Sequence, residues 1–223
     1  MPMSAVWQFI TNPYNDFIGQ TIAYLQICGF SILVAILIGV VLGVLVSRNP
    51  FLAFIAVNTS GLMRAIPVIA FLFVALPILG LGFWPTVVAL IVLGIPPILL
   101  NTYTSLRGLD PAMIDAARGM GMTGRQIVTR IQLPLVMPTI AAGIRTSAVQ
   151  IVATATLAGF IGYGGYGAYI IDGVNTLNDT KILAGAIPVA LLALIIEVIM
   201  SWLQLTLTPA GLRRQALTQV VGQ

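Results

Sequence analysis

Residues 104–134 read TSLRGLDPAMIDAARGMGMTGRQIVTRIQLP, the longest polar stretch in a chain of 223 residues. Four arginines lie within it: Arg107, Arg118, Arg125 and Arg130. On both sides the sequence turns apolar, with runs at Trp84–Tyr103 and Leu135–Leu157. Further out lie Ile18–Val46, Phe51–Leu79 and Leu183–Leu207. A membrane-crossing helix needs about 20 apolar residues, and each run supplies them. Pro67, Pro77, Pro96, Pro97 and Pro188 fall inside these runs, which bundled membrane helices tolerate. The polar stretch is therefore a loop between the third and fourth of five predicted spans.

Composition agrees. The chain is 59% hydrophobic and 7% charged, against about 25% charged in a soluble domain. Its mean hydropathy is +1.05. Too little polar side chain exists to cover a water-facing surface, so the bilayer is the natural solvent. The expected fold class is all-α: a single polytopic transmembrane bundle over residues 1–223, with a cytoplasmic loop at 104–134 and an outer loop at 159–181. Five spans leave no room for a nucleotide-binding domain. No Walker-type loop occurs, and the only lysine is Lys181. Without histidine, His-based catalysis and His metal sites are excluded. The single Cys28, in an apolar run, reads as a small buried hydrophobe and excludes an intrachain disulfide. No metal site is expected. With no basic residue before Arg48, Ile18–Val46 is expected to be a retained first span rather than a cleaved leader.

Charge sets the orientation. Placing Arg48 in the cytoplasm puts Arg107, Arg118, Arg125, Arg130, Arg213 and Arg214 there too, and leaves Lys181 outside with Asp16, Asp172 and Asp179. That satisfies the positive-inside rule. The N-terminus is expected outside and the C-terminus in the cytoplasm. Trp7, Tyr14 and Trp84 then fall near the outer interface and Trp202 near the inner one. The net charge of +4 is thus topology and membrane-lipid contact, not nucleic-acid binding.

Within the polar loop, Asp110-Pro111 is a helix start, an acidic N-cap followed by proline at the first position. The helix runs to Gly119 and Gly121. Thr123 with Gln126 three residues on forms a capping-box pattern for a second helix. Asp115-Ala116-Ala117 is followed by three residues, Gly121, nine residues, Ile131, one residue and Leu133-Pro134. This spacing resembles the "EAA" loop of binding-protein-dependent ABC importer permeases, with Asp115 where Glu is usual. The shorter acid keeps the charge but shifts its reach. Asn101-Thr102-Tyr103-Thr104, Asp110-Pro111-Ala112, 116–122, 142–146, 159–167 and 185–188 resemble one branch of that family, the permeases for glycine betaine, carnitine, choline and related quaternary amines.

The resemblance implies a type I, MetI-like importer architecture working by alternating access. It implies a second permease chain, a heterodimer being common in this branch. It also implies two ATP-binding subunits holding ATP and Mg, and a periplasmic or lipid-anchored substrate-binding protein, all in a bacterial inner membrane. This chain itself would bind no cofactor and catalyse nothing. The loop would be the coupling helix, with Asp115, Ala116, Ala117, Gly119, Met120, Gly121, Met122, Arg125, Ile131, Leu133 and Pro134 transmitting motion, and Met120, Met122 and Ile114 offering apolar contact. An importer of the same class for methionine or another polar amino acid is the alternative cargo reading. An ion-gradient-driven carrier would leave the arginine loop unexplained.

Three ionisable residues, Arg64, Arg145 and Glu197, fall inside predicted spans. A charge at that depth normally faces the bundle interior, paired or hydrated. They are candidates for a structural pair, or with Pro67 for a path lining or gate. The carboxylate of a betaine could meet such an arginine. Beyond the fourth span, residues 159–178 are rich in glycine and tyrosine. Tyr163, Tyr166 and Tyr169 are read as an interfacial aromatic belt, or as a docking surface and outer gate. The run 162–167 only superficially resembles a nucleotide fingerprint, because no strand precedes it.

Overall fold

The computed structural model describes residues 3–208, and among these every regular element is helical. A short helix, α1 (Met3–Thr11), and a 3-10 turn at Pro13–Asn15 precede the first span, in a segment too short to cross a membrane. Asp16 then starts α2 (Phe17–Ser47), its carboxylate accepting from the Gly19 N–H at 3.3 Å. Asn49 caps α3 (Pro50–Ala65), accepting from Phe51 N–H at 2.9 Å.

The second predicted span, Phe51–Leu79, is not one straight helix. It breaks at Ile66-Pro67 into α3 and α4 (Val68–Leu79), with 96° between the pieces. Proline has no N–H to give and disfavours the helical region for the residue before it. Ile66 accordingly sits in extended backbone, at φ −77° and ψ 121°. The twelve residues of α4 rise about 18 Å, too few to cross a core of about 30 Å alone. Together α3 and α4 count as one broken span beside four unbroken ones.

Gly80 and Gly82, both at positive φ, turn the chain into α5 (Phe83–Arg107). The two polar-loop helices follow, α6 (Pro111–Gly119) and α7 (Gly124–Ile127). A π-helical turn at Val128–Gln132 joins α7 to α8 (Leu133–Thr154), which runs on as a 3-10 segment to Ile161. The second loop helix is therefore the first turn of the next span, and 124–161 forms one helical rod. Pro134 sits inside that rod. It has no N–H for the carbonyl one turn back, and the wider turn before it accommodates the loss. Helices α9 (Tyr166–Asn175) and α10 (Asp179–Leu207) complete the described residues. Arg213 and Arg214 lie outside the described residues.

The core is the contact of α2, α5 and α8, with α10 against α8 and α9, and with α3 and α4 against α5. Helices in lipid gain no hydrophobic drive from meeting each other, so close packing over small residues holds them. Ser31, Ala35, Gly39 and Gly43 recur every fourth residue of α2, all buried. A Cβ added at Gly39 would lie 2.8 Å from Ile98 Cβ, and one at Gly43 2.5 Å from Thr102 Cβ. Where all three helices meet, a Cβ on Gly94 of α5 would come within 2.7 Å of Ile151 and 3.1 Å of Ala35.

Candidate functional site

The polar loop is built by its caps. Asp110 Oδ1 accepts from Ala112 N–H at 2.9 Å, with Pro111 at the first helical position. At the other end Gly121 takes φ +81°, and the Gly121 N–H donates to Arg118 O at 2.9 Å and the Met122 N–H to Ala117 O at 3.2 Å. Thr123 and Gln126 form the full reciprocal box: Thr123 N–H donates to Gln126 Oε1 at 2.8 Å and Gln126 N–H to Thr123 Oγ1 at 3.4 Å. Ala117 and Ile127 are the buried members of α6 and α7, which touch each other. Asp115, Ala116, Arg118, Gly119, Met120, Gly121 and Arg125 point outward, Met120 being 74% exposed. Ile114, Met122, Ile131 and Pro134 are half-buried and Leu133 is exposed. Asp115 lies 3.4 Å from Arg118, both largely exposed, a contact worth at most about 1 kcal/mol.

Halfway along the spans lies a polar seam. Arg145 Nε donates to Glu197 Oε1 at 2.9 Å, Nη2 donates to the same oxygen, and Nη1 donates to Gln204 Oε1 at 3.3 Å. Glu197 is thus neutralised by Arg145. Arg64 lies on α3 just before the break at Pro67; its side chain is outside the described residues. Arg145 is twelve residues into α8, about 18 Å along it, and Glu197 ten residues from the end of α10, about 15 Å. The pair borders an open groove of about 480 Å³, together with Thr146, Gln150 and Gln204. Its side chains remain 33% and 38% exposed. Hydrocarbon would give such groups no partners. Sequence reading missed Thr146, Gln150 and Gln204. On α8 the signal was the four-residue spacing of Thr146 and Gln150, which puts both on one face; Gln204, on α10, carried no such signal.

The outer tyrosines require a correction. Tyr166 and Tyr169 are buried, at 3% and 8% exposure, and Tyr163 is half-buried, so no docking surface can be made of the first two. Their hydroxyls are spent inside: Tyr166 Oη is 2.8 Å from Thr21 Oγ1, and Tyr169 Oη donates to Asn15 O. Their rings pack on Phe17 and Tyr24, and Phe9 meets Tyr169 edge-on at 5.4 Å. Burial pushes the Tyr169 phenol up to about 12. Gly159 and Gly167 allow close backbone approach. A Cβ on Gly167 would sit 1.9 Å from Thr156 O.

Residues 35–210 match the family described as binding-protein-dependent transport system inner membrane component. The chain belongs to this family. It is a multi-pass inner-membrane transport component. Among its relatives, the permease is 37% identical over 211 residues to the carnitine transport permease protein OpuCB of Listeria monocytogenes, covering 95% of this chain and 97% of that one. It is 36% identical over 212 residues to the choline transport system permease protein OpuBB of Bacillus subtilis, covering 95% and 98%. It is 34% identical over 198 residues to the osmoprotectant import permease protein OsmW of Salmonella typhimurium, covering 86% and 92%. In fold it resembles a chain of the MetNI methionine ABC transporter in an inward-facing conformation, with a TM-score of 0.73 and 21% identity over 94% of this chain and 100% of that chain. At that identity the likeness concerns the fold alone.

Proposed function

We propose that this permease forms half of an alternating-access pathway that imports osmoprotectants: glycine betaine, carnitine, choline or related quaternary amines. The observation that carries the reading is the loop at 104–134, whose spacing and exposed, tightly capped helix fit a coupling helix seated on an ATP-binding subunit. Relatives named for carnitine, choline and osmoprotectants support the cargo.

Two ATP-binding subunits bind and hydrolyse ATP with Mg. Their closure pushes α6. Because α7 continues through the π turn into α8, the push reaches a spanning rod rather than a slack loop. Asp115 and Arg125 offer charge to the partner, and Met120 an apolar contact. The arginine-bearing end faces the cytoplasm, as Arg48, Arg107, Arg118, Arg125 and Arg130 support; the N-terminus lies outside and the C-terminus inside. A second permease chain covers the polar seam of α8 and α10. A different chain is favoured over a second copy, since Listeria monocytogenes has relatives named OpuCB and OpuCD. A substrate-binding protein delivers cargo at the outer end. Arg145, Glu197, Arg64 and Pro67 lie along the path or its gate. Co-expression with genomic neighbours and affinity capture through this chain tests the assembly: an ATP-hydrolysing complex is expected, and recovery of this chain without any ATP-binding subunit contradicts it.

A further inference from the structure

We propose that Arg145 and Glu197 form an exchange site for a zwitterion: the cargo carboxylate takes Arg145, its quaternary ammonium takes Glu197, and the two side chains re-pair when it leaves. This deepens the osmoprotectant reading above and rests on it.

Four observations carry the inference. The pair lies at mid-span, beside a groove of about 480 Å³. Its members are partly open to that groove rather than sealed in protein. Arg145 reaches Glu197 side-on: Nε and Nη2 both donate to Oε1. A fork-to-fork pair would engage both carboxylate oxygens and hold harder. The remaining Arg145 contact goes to a neutral amide oxygen, on Gln204, at a long 3.3 Å. The Gln204 contact is therefore the one a cargo carboxylate displaces most readily, and Oε2 of Glu197 receives no hydrogen bond from Arg145.

Exchange also meets the electrostatic constraint of the site. An unpaired charge at this depth is costly. The side-chain pair and a betaine are each neutral overall, so swapping partners leaves every charge matched. Gln150, Thr146 and Gln204 border the same groove and supply neutral hydrogen-bond partners during the swap. With no cargo present the pair closes on itself. A cation without a carboxylate, such as choline, can pair with Glu197 but strands Arg145. The site thus discriminates between the two cargo types, independently of the binding protein that delivers them.

The test is competitive uptake of labelled glycine betaine and choline by the full complex in proteoliposomes, counted per assembled complex. The readout is the choline-to-betaine ratio. Arg145→Gln is expected to raise the ratio about tenfold or more, the worth of one hydrogen bond to a charged group, whereas Glu197→Gln removes the ammonium partner of both cargoes and is expected to slow both with the ratio little changed. A purely structural pair would slow both cargoes equally in either variant, and an unchanged ratio in Arg145→Gln overturns the exchange while leaving the importer reading intact. Should the single variants fail to assemble, Arg145→Gln with Glu197→Gln leaves no charge unpaired. Betaine uptake about tenfold lower or more is then expected, and normal uptake of both cargoes overturns the proposal. A wild-type complex that hydrolyses ATP but moves neither of these cargoes nor labelled carnitine overturns both readings.

Discussion

Gly43→Ala should destabilise this protein while the same change at Gly29, on the same helix, should not. A methyl at Gly43 would lie 2.5 Å from Thr102 Cβ, 2.8 Å from Thr102 Cγ2 and 3.0 Å from Leu99 O. Carbon atoms in contact prefer about 3.5–4.0 Å, so α2 would have to back away from α5 by about 1 Å or more. Thr102 cannot swing clear, because its Cβ is fixed to the backbone and its hydroxyl donates to Ile98 O at 2.8 Å. Overpacking of this kind costs about 1–3 kcal/mol. Gly29 has nothing within 4 Å of an added Cβ. Both changes gain the same helix propensity, up to about 1 kcal/mol, so their difference isolates the clash. For a chain of this size that is about 2–12 °C in melting temperature. Thermal melting of the purified chain in detergent, followed by the fluorescence of its tryptophans, measures it. Equal melting of the two variants would refute the claim that α2 and α5 are held by backbone-close contact.

Gly167→Ala places a Cβ 1.9 Å from Thr156 O, against backbone that has no rotamer to change, and should prevent accumulation of folded protein; membrane-fraction yield and protease resistance report it. Gly121→Pro cannot reach the observed φ of +81° and removes the N–H donated to Arg118 O. It should leave ATP hydrolysis by the assembled complex running while uptake falls, measured as transport per ATP hydrolysed. Thr123→Ala breaks the capping box at a cost of about 1 kcal/mol, so amide exchange over Gly124–Ile127 should quicken about fivefold with little change at mid-α8.

Some of the fold was legible because composition alone decides it. A run such as Ile18–Val46 is apolar on every face, and only a spanning helix like α2 satisfies its backbone in lipid. The caps were legible for a local reason: Asp110-Pro111 and Thr123 with Gln126 act over three residues and need no tertiary partner. A proline such as Pro67 disturbs a helix, but whether it kinks or breaks a span depends on what receives the freed ends. Here Ile66 goes extended and the chain turns through 96°. Tyr166 and Tyr169 misled because aromatics at a glycine-rich turn suit a lipid interface and a packed core equally. What buries them, Phe17, Tyr24 and Phe9, lies more than a hundred residues away in sequence. Which partner Glu197 would take was hidden too, since Arg145 lies 52 residues away and, in one dimension, looks like Arg64. The join of α7 to α8 was hidden because Pro134 reads as a helix start unless a wider turn precedes it.

The measurement that bears most directly on the central claim is ATP-dependent uptake in proteoliposomes holding this permease with its genomic neighbours, supplied with labelled glycine betaine, choline and carnitine. The account predicts accumulation of at least one of them that requires ATP inside the cytoplasmic compartment and stops when the ATP-binding subunits are left out. Uptake that proceeds without those subunits, driven by an ion gradient alone, would contradict it.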